Sequence, residues 1–148
     1  MSNSPVGTAE RVLLSLGIPF GGMFIGFLAA GVPILMGLRE PGVSVIGFFG
    51  MVMGVIVVSQ LAPRVVPKAS RFSVGRRIAA GIAGLLAAMT VGRCLILLGL
   101  DADALSNSPS LWAIAQEGLY MLLTFGTMLA AASAALGRPT AADDPVAQ

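Results

Sequence analysis

The stretch IAAGIAGLLAAMTVGRCLILLGL, residues 78–100, holds one charged side chain, Arg93, in a run that a bilayer otherwise accepts. A hydrocarbon core roughly 30 Å thick is crossed by about 20 apolar residues in a helix, so this run is long enough to span alone. Three others match it: VLLSLGIPFGGMFIGFLAAGVPILM (12–36), VSVIGFFGMVMGVIVVSQL (43–61) and LWAIAQEGLYMLLTFGTMLAAASAAL (111–136). A single helix satisfies its own backbone in lipid, whereas a β-barrel needs alternating segments of about ten residues and at least eight strands. The sequence therefore predicts an all-α integral membrane protein with four transmembrane helices in two antiparallel hairpins.

Composition agrees. Hydrophobic residues make up 56% of the 148, charged residues only 11%, and the mean hydropathy is +0.90. An ordinary soluble domain carries about 25% charged residues, so this chain has too little polar material to cover itself in water. The predicted organisation is a tail at 1–11, a transmembrane domain at 12–136 and a second tail at 137–148, both tails being small, polar and proline-containing. The turn LREPG at 38–42 closes the first hairpin, and NSPS puts Ser108 at an N-cap with Pro109 at the first helical position of the fourth helix. The first block is read as a permanent helix: it is too long for a signal-peptide core, and Glu10 cancels Arg11 in front of it.

Charge orients the bundle. The linker at 62–77 holds Arg64, Lys68, Arg71, Arg76 and Arg77 without an acid, and the loop after the third helix holds Asp101 and Asp103 without a base. The positive-inside rule places the linker, and with four crossings both termini, in the cytoplasm of a cell with a bacterial-type inner membrane. The linker is foremost a topology determinant; anionic lipid headgroups are its candidate ligands. Nucleic acid is not expected, since nothing beyond these charges supports a groove or a stacking surface.

Arg93 lies roughly 10 Å below the far interface, and Glu117, counted from Trp112, roughly 8 Å below it on the next helix. Matched depth and opposite charge make an ion pair the leading expectation. Independent snorkelling and a contact with another subunit are the alternatives. Gln116, Glu117, Tyr120, Thr124 and Thr127 share one side of the fourth helix, continued by Ala131, Ala134 and Ala135, with Leu119, Leu122, Phe125 and Leu129 opposite. Arg93, Glu117, Gln116, Tyr120 and Thr124 are the candidate polar site.

A second pattern is one of small residues. Gly47, Gly50 and Gly54 share a face of the second helix, and Ala80 and Gly84 one of the third; Gly17 with Gly21 and Gly22 with Gly26 frame short motifs in the first. Such faces let helix backbones approach closely. Pro19 is expected to kink the first helix.

The chain has no histidine and a single cysteine, Cys94. Histidine-ligated haem, a histidine metal centre and an intramolecular disulfide are thereby excluded, and candidate nucleophiles have no base. GIAGLLAAMT lacks the lysine of a phosphate-binding loop. No cofactor, metal site or catalytic residue is predicted, and the chain is not expected to be an enzyme. The eight methionines are dispersed and read as apolar filler. The sequence favours a non-catalytic accessory or structural subunit of a multi-subunit inner-membrane complex, its partners being the bilayer and either other membrane subunits or further copies of itself. The alternative is a small oligomeric transporter or channel with Glu117 as its coupling carboxylate.

Overall fold

The computed structural model describes residues 7–37, 42–100 and 110–137. Within them run four helices: α1, Thr8–Leu35; α2, Gly42–Val65; α3, Val74–Leu97; and α4, Leu111–Leu136. A 3₁₀ turn at Pro67–Arg71 joins α2 to α3. Each of the four is long and apolar enough to cross a membrane. Their outward flanks expose Phe24, Phe27, Leu35, Leu97 and Leu122, a surface suited to lipid and unsuited to water. The chain is a multi-pass, all-α membrane protein.

Helix ends follow local chemistry more closely than they follow hydropathy. Glu10 reaches back to accept the Gly7 N–H at 2.8 Å, so α1 starts ahead of the apolar block at Thr8. Ser73 caps α3, its Oγ accepting the Arg76 N–H at 3.3 Å, and the helix begins at Val74 and takes in Arg76 and Arg77. Helix α2 continues through Pro63 to Val65. The remaining connection is folded onto the bundle, because Ala62, Val66, Ala69 and Phe72 are all buried and carry the core past the last lipid-facing residues. At the other end of α3, Gly99 takes a positive φ of 88°, and the Leu100 N–H returns to the Leu95 carbonyl at 3.0 Å. That left-handed stop ends the helix at Leu97 rather than Leu100.

The fourth helix is capped by Ser110, whose Oγ accepts the Ala113 N–H at 3.1 Å. This corrects the expected cap at Ser108: either serine suits the sequence pattern, but helical geometry from Leu111 onward selects the later one. Ser108 and Pro109 themselves lie outside the described residues, as do residues 38–41 of the first turn, the Asp101 and Asp103 loop, and residues 1–6 and 138–148.

Two hairpins, α1 with α2 and α3 with α4, make the most extensive contacts; α1 and α3 also touch each other and both remaining helices, so α2 and α4 stand at opposite corners. The first hairpin closes on glycine. A Cβ built on Gly54 would lie 3.0 Å from the Gly22 Cα, and one on Gly50 would lie 3.1 Å from the Gly26 Cα. One on Gly47 would lie 3.2 Å from the Ala30 Cβ. Gly17, by contrast, faces open space. In the middle of the bundle, Ala80 is fully buried, and Gly84 meets the Pro19 ring and the Ala132 Cβ, at 3.1 and 3.2 Å from where its own Cβ would stand. Pro19 thus sits inside an uninterrupted α1, its ring filling the space that Gly84 leaves.

At one end of the bundle, where α1 and α3 start and α2 and α4 finish, the basic residues gather. Glu10 pairs with Lys68 at 3.1 Å, and an Arg11 Nη2 donates to the Gly137 carbonyl at 2.9 Å. This is called the basic end below.

Replacing Gly54 by leucine should force α1 and α2 apart and lower stability by about 1–3 kcal/mol, the usual cost of overpacking. Gly126→Leu, at a site with nothing within 4 Å of an added Cβ, should leave the unfolding temperature in detergent unchanged or slightly raised. Equal losses in the two variants would show that backbone approach at Gly54 does not hold the hairpin.

Candidate functional site

Polar side chains collect at two places in an otherwise apolar bundle. The first is a cleft of about 890 Å³ on the half away from the basic end, where the two hairpins diverge. From α3 it is lined by Thr90, Gly92 and Arg93, from α4 by Tyr120 and Thr124, and from the other hairpin by Ser44. Helical phase explains the set: Tyr120 and Thr124 are one turn apart on α4, and across from them α3 presents glycine. A Cβ on Gly92 would come within 2.8 Å of the Tyr120 Oη, so the phenol ring can reach past α3 only because that position has no side chain. Thr124 Oγ1 is buried there without a hydrogen-bond partner. Arg93 and Cys94 are exposed in the cleft.

The structure therefore brings Arg93, Tyr120 and Thr124 to one cavity. Glu117 and Gln116 lie about a turn before Tyr120 on α4, further from the basic end, both half-buried. Thr127 turns back on its own helix, its hydroxyl donating to the Leu123 carbonyl at 2.6 Å and lying 3.0 Å from that of Thr124. Toward the basic end the inward face of α4 runs through Met128, Ala132 and Leu136. Phe125, on the opposite side of α4, is half-buried, and its ring stacks on the exposed Phe20 of α1 at a centroid distance of 5.4 Å.

The second polar place is at the basic end and was not legible as such in the sequence. Ser133 Oγ donates to Ser15 Oγ at 3.0 Å, tying α4 to α1. Ser59 of α2 is fully buried and its hydroxyl has no partner. Arg77, which reads in the sequence as one more cation of the linker, is only 5% exposed, with Nε and Nη1 both buried and unpartnered. Its signal was spacing: Arg77, Ala80, Gly81, Gly84 and Ala88 share the inward, small-residue face of α3. The neighbouring Arg76 is about 100° away and half-buried. Between the two polar places lie Ile18, Leu85 and Met128, all buried and apolar.

Among the described residues no three His, Cys, Asp or Glu side chains come together as a metal site. No family model, curated protein or solved structure matches this chain.

The Gly92 and Tyr120 contact can be tested by a double-mutant cycle. Gly92→Val should destabilise by meeting the phenol; in a Tyr120→Ala background the same change should cost less, with a coupling of about 0.5–3 kcal/mol. Additive unfolding temperatures would mean that the ring does not rest on Gly92.

Proposed function

We propose that this multi-pass membrane protein is a non-catalytic accessory subunit of a larger inner-membrane complex, lying with its basic end in the cytoplasm and receiving a partner helix at the cleft lined by Arg93. The observation that carries this reading is the exposure of Arg93 four residues from the end of α3. An arginine at membrane depth needs an opposite charge, polar company or a route to the headgroups. The cleft offers the hydroxyls of Tyr120, Thr90 and Thr124, and among the described residues Glu117 on α4 is the charge of opposite sign in the same half of the bundle. An Arg93 to Glu117 pair would lower the cost of both ions and set the electrostatics of the surface shown to a partner. Small-residue packing within the hairpins, and a large apolar exterior, suit a protein that works by fitting among other helices.

A transport reading uses the same cleft with Glu117 as the coupling carboxylate. The apolar layer of Ile18, Leu85 and Met128 interrupts any polar route through one copy, so such a protein would have to conduct between copies.

Purification at native expression in mild detergent, followed by mass measurement of the intact assembly, tests the choice. A stoichiometric foreign subunit that is lost in Arg93→Met is the expected result; a homo-oligomer that retains its mass in that variant would overturn the subunit reading. The double replacement Arg93→Met with Glu117→Gln should recover folded yield lost by either single change, by about 1–3 kcal/mol if the two charges compensate each other. For orientation, single cysteines at Ser70 and Ser106 in a Cys94→Ala background should show labelling of the second, and not of the first, by an impermeant thiol reagent on intact cells.

A further inference from the structure

The buried guanidinium of Arg77 has no role in the cleft or in the proposed assembly, and lies at the opposite end of the bundle. Its surroundings follow from helix register. One turn further along α3, a Cβ on Gly81 would meet Val55 Cγ1 of α2 at 2.5 Å and Ile18 Cγ2 of α1 at 2.8 Å. Because α2 runs antiparallel to α3, one turn back from Gly81 is the level of Ser59; because α1 runs parallel, it is the level of Leu14 and Ser15. Arg77 and Ser59 therefore share a level inside the bundle, and each carries a buried polar atom without a partner.

A buried charge without compensation costs several kcal/mol, and its relief demands an opposite charge with good geometry. The described residues offer little there. Among the described residues at the basic end stand Arg11, Arg64, Lys68, Arg71, Arg76 and Arg77 against one carboxylate, Glu10. Both Glu10 oxygens are engaged, one by Lys68 and one by the Gly7 N–H. No carboxylate among the described residues at this end is left to answer Arg77, and an oxyanion would do so. Arg77 lies about 6 Å along α3 from its cap at Ser73, close to the level where headgroups meet hydrocarbon. The fork of a guanidinium matches two oxygens of a phosphate, and a serine hydroxyl can donate to a third.

We propose that Arg77 and Ser59 form an anion site at the basic end that binds a phosphate oxyanion. The phosphate has two sources: an anionic phospholipid of the adjoining leaflet, or free inorganic phosphate. A lipid has an acyl-chain berth at hand, since an apolar groove of about 350 Å³ runs between α1 and α2 at this end, lined by Leu13, Gly17, Val58, Leu61 and Val65 among others.

The test uses the full chain, delipidated in mild detergent. Phosphatidylglycerol, phosphatidylcholine and inorganic phosphate are titrated separately, with retention read by native mass measurement and stabilisation by thermal unfolding. Wild type should be stabilised by phosphatidylglycerol or by inorganic phosphate and not by phosphatidylcholine. Arg77→Met should weaken that binding about tenfold, the loss of a charge-assisted bidentate contact. Arg64→Met, which removes an exposed cation from the same end, should change it little. Arg77→Lys should fall between, keeping charge without the fork, and it serves as the second variant if Arg77→Met does not fold. Without anion, Arg77→Met should be at least as stable as wild type, and in saturating anion less stable; a merely structural arginine would not reverse the order. Retention of phosphatidylglycerol that Gly17→Leu lowers makes the source a lipid, and stabilisation by inorganic phosphate that Gly17→Leu leaves intact makes it the free ion. Equal losses in Arg64→Met and Arg77→Met would reduce the effect to diffuse surface charge and overturn the site, as would a wild type indifferent to both phosphates.

Discussion

Helices surrounded by hydrocarbon gain nothing by hiding apolar surface from one another, so they adhere only as far as their backbones can approach. In this chain the approach is made by glycine against glycine. Gly22 with Gly54 and Gly26 with Gly50 bring α1 and α2 into near backbone contact, and with that hairpin closed, Ile18 and Pro19 are presented at a fixed height to Gly81 and Gly84 of α3. Everything polar in the bundle is placed by that registration. Ser15 is brought to Ser133, Ser59 to the level of Arg77, and the space between the two hairpins toward the far end becomes the cleft of Arg93.

The number of helices and their approximate limits were legible, because hydrocarbon thickness imposes a length that a linear reading can measure. Their ends were less so. Hydropathy reports what surrounds a helix and is blind to residues that continue it inward: Ala62, Val66, Ala69 and Phe72 extend the core beyond the last lipid-facing side chain, and Ser73 and Ser110 set the starts of α3 and α4 through a single hydrogen bond each. The polar residues of the cleft are legible because Tyr120 and Thr124 interrupt an apolar run. Arg77 is illegible for the converse reason. Embedded among other cations, it differs from Arg76 only in helical phase, and only the partner helices reveal which of two adjacent arginines turns in. Phe125 is a parallel case from the apolar side, since composition does not reveal that its ring stacks on Phe20.

The two polar places are unlike in kind. In the cleft the arginine is exposed, residues with hydroxyls share the lining, and the surface is open between the hairpins. At the basic end the arginine is enclosed, and the apolar layer of Ile18, Leu85 and Met128 keeps the two from forming one hydrated path. An exposed cation among hydroxyls favours recognition of a large partner that brings its own shape, while an enclosed guanidinium favours a small group of fixed geometry. A partner received at the cleft and an oxyanion held at the basic end would therefore share no side chains.

The way Phe72 is held bears on how copies of this protein meet. Many paired-hairpin proteins can trade a hairpin with a neighbouring molecule when the hinge between the halves is free to straighten. Here the hinge is residues 66–73, and its aromatic ring is fully enclosed by the bundle it connects. Straightening it would draw a phenyl side chain out of its own core and leave a cavity behind, a change worth about 3–5 kcal/mol in a packed interior. Hairpin exchange between neighbouring copies is accordingly disfavoured from within each molecule.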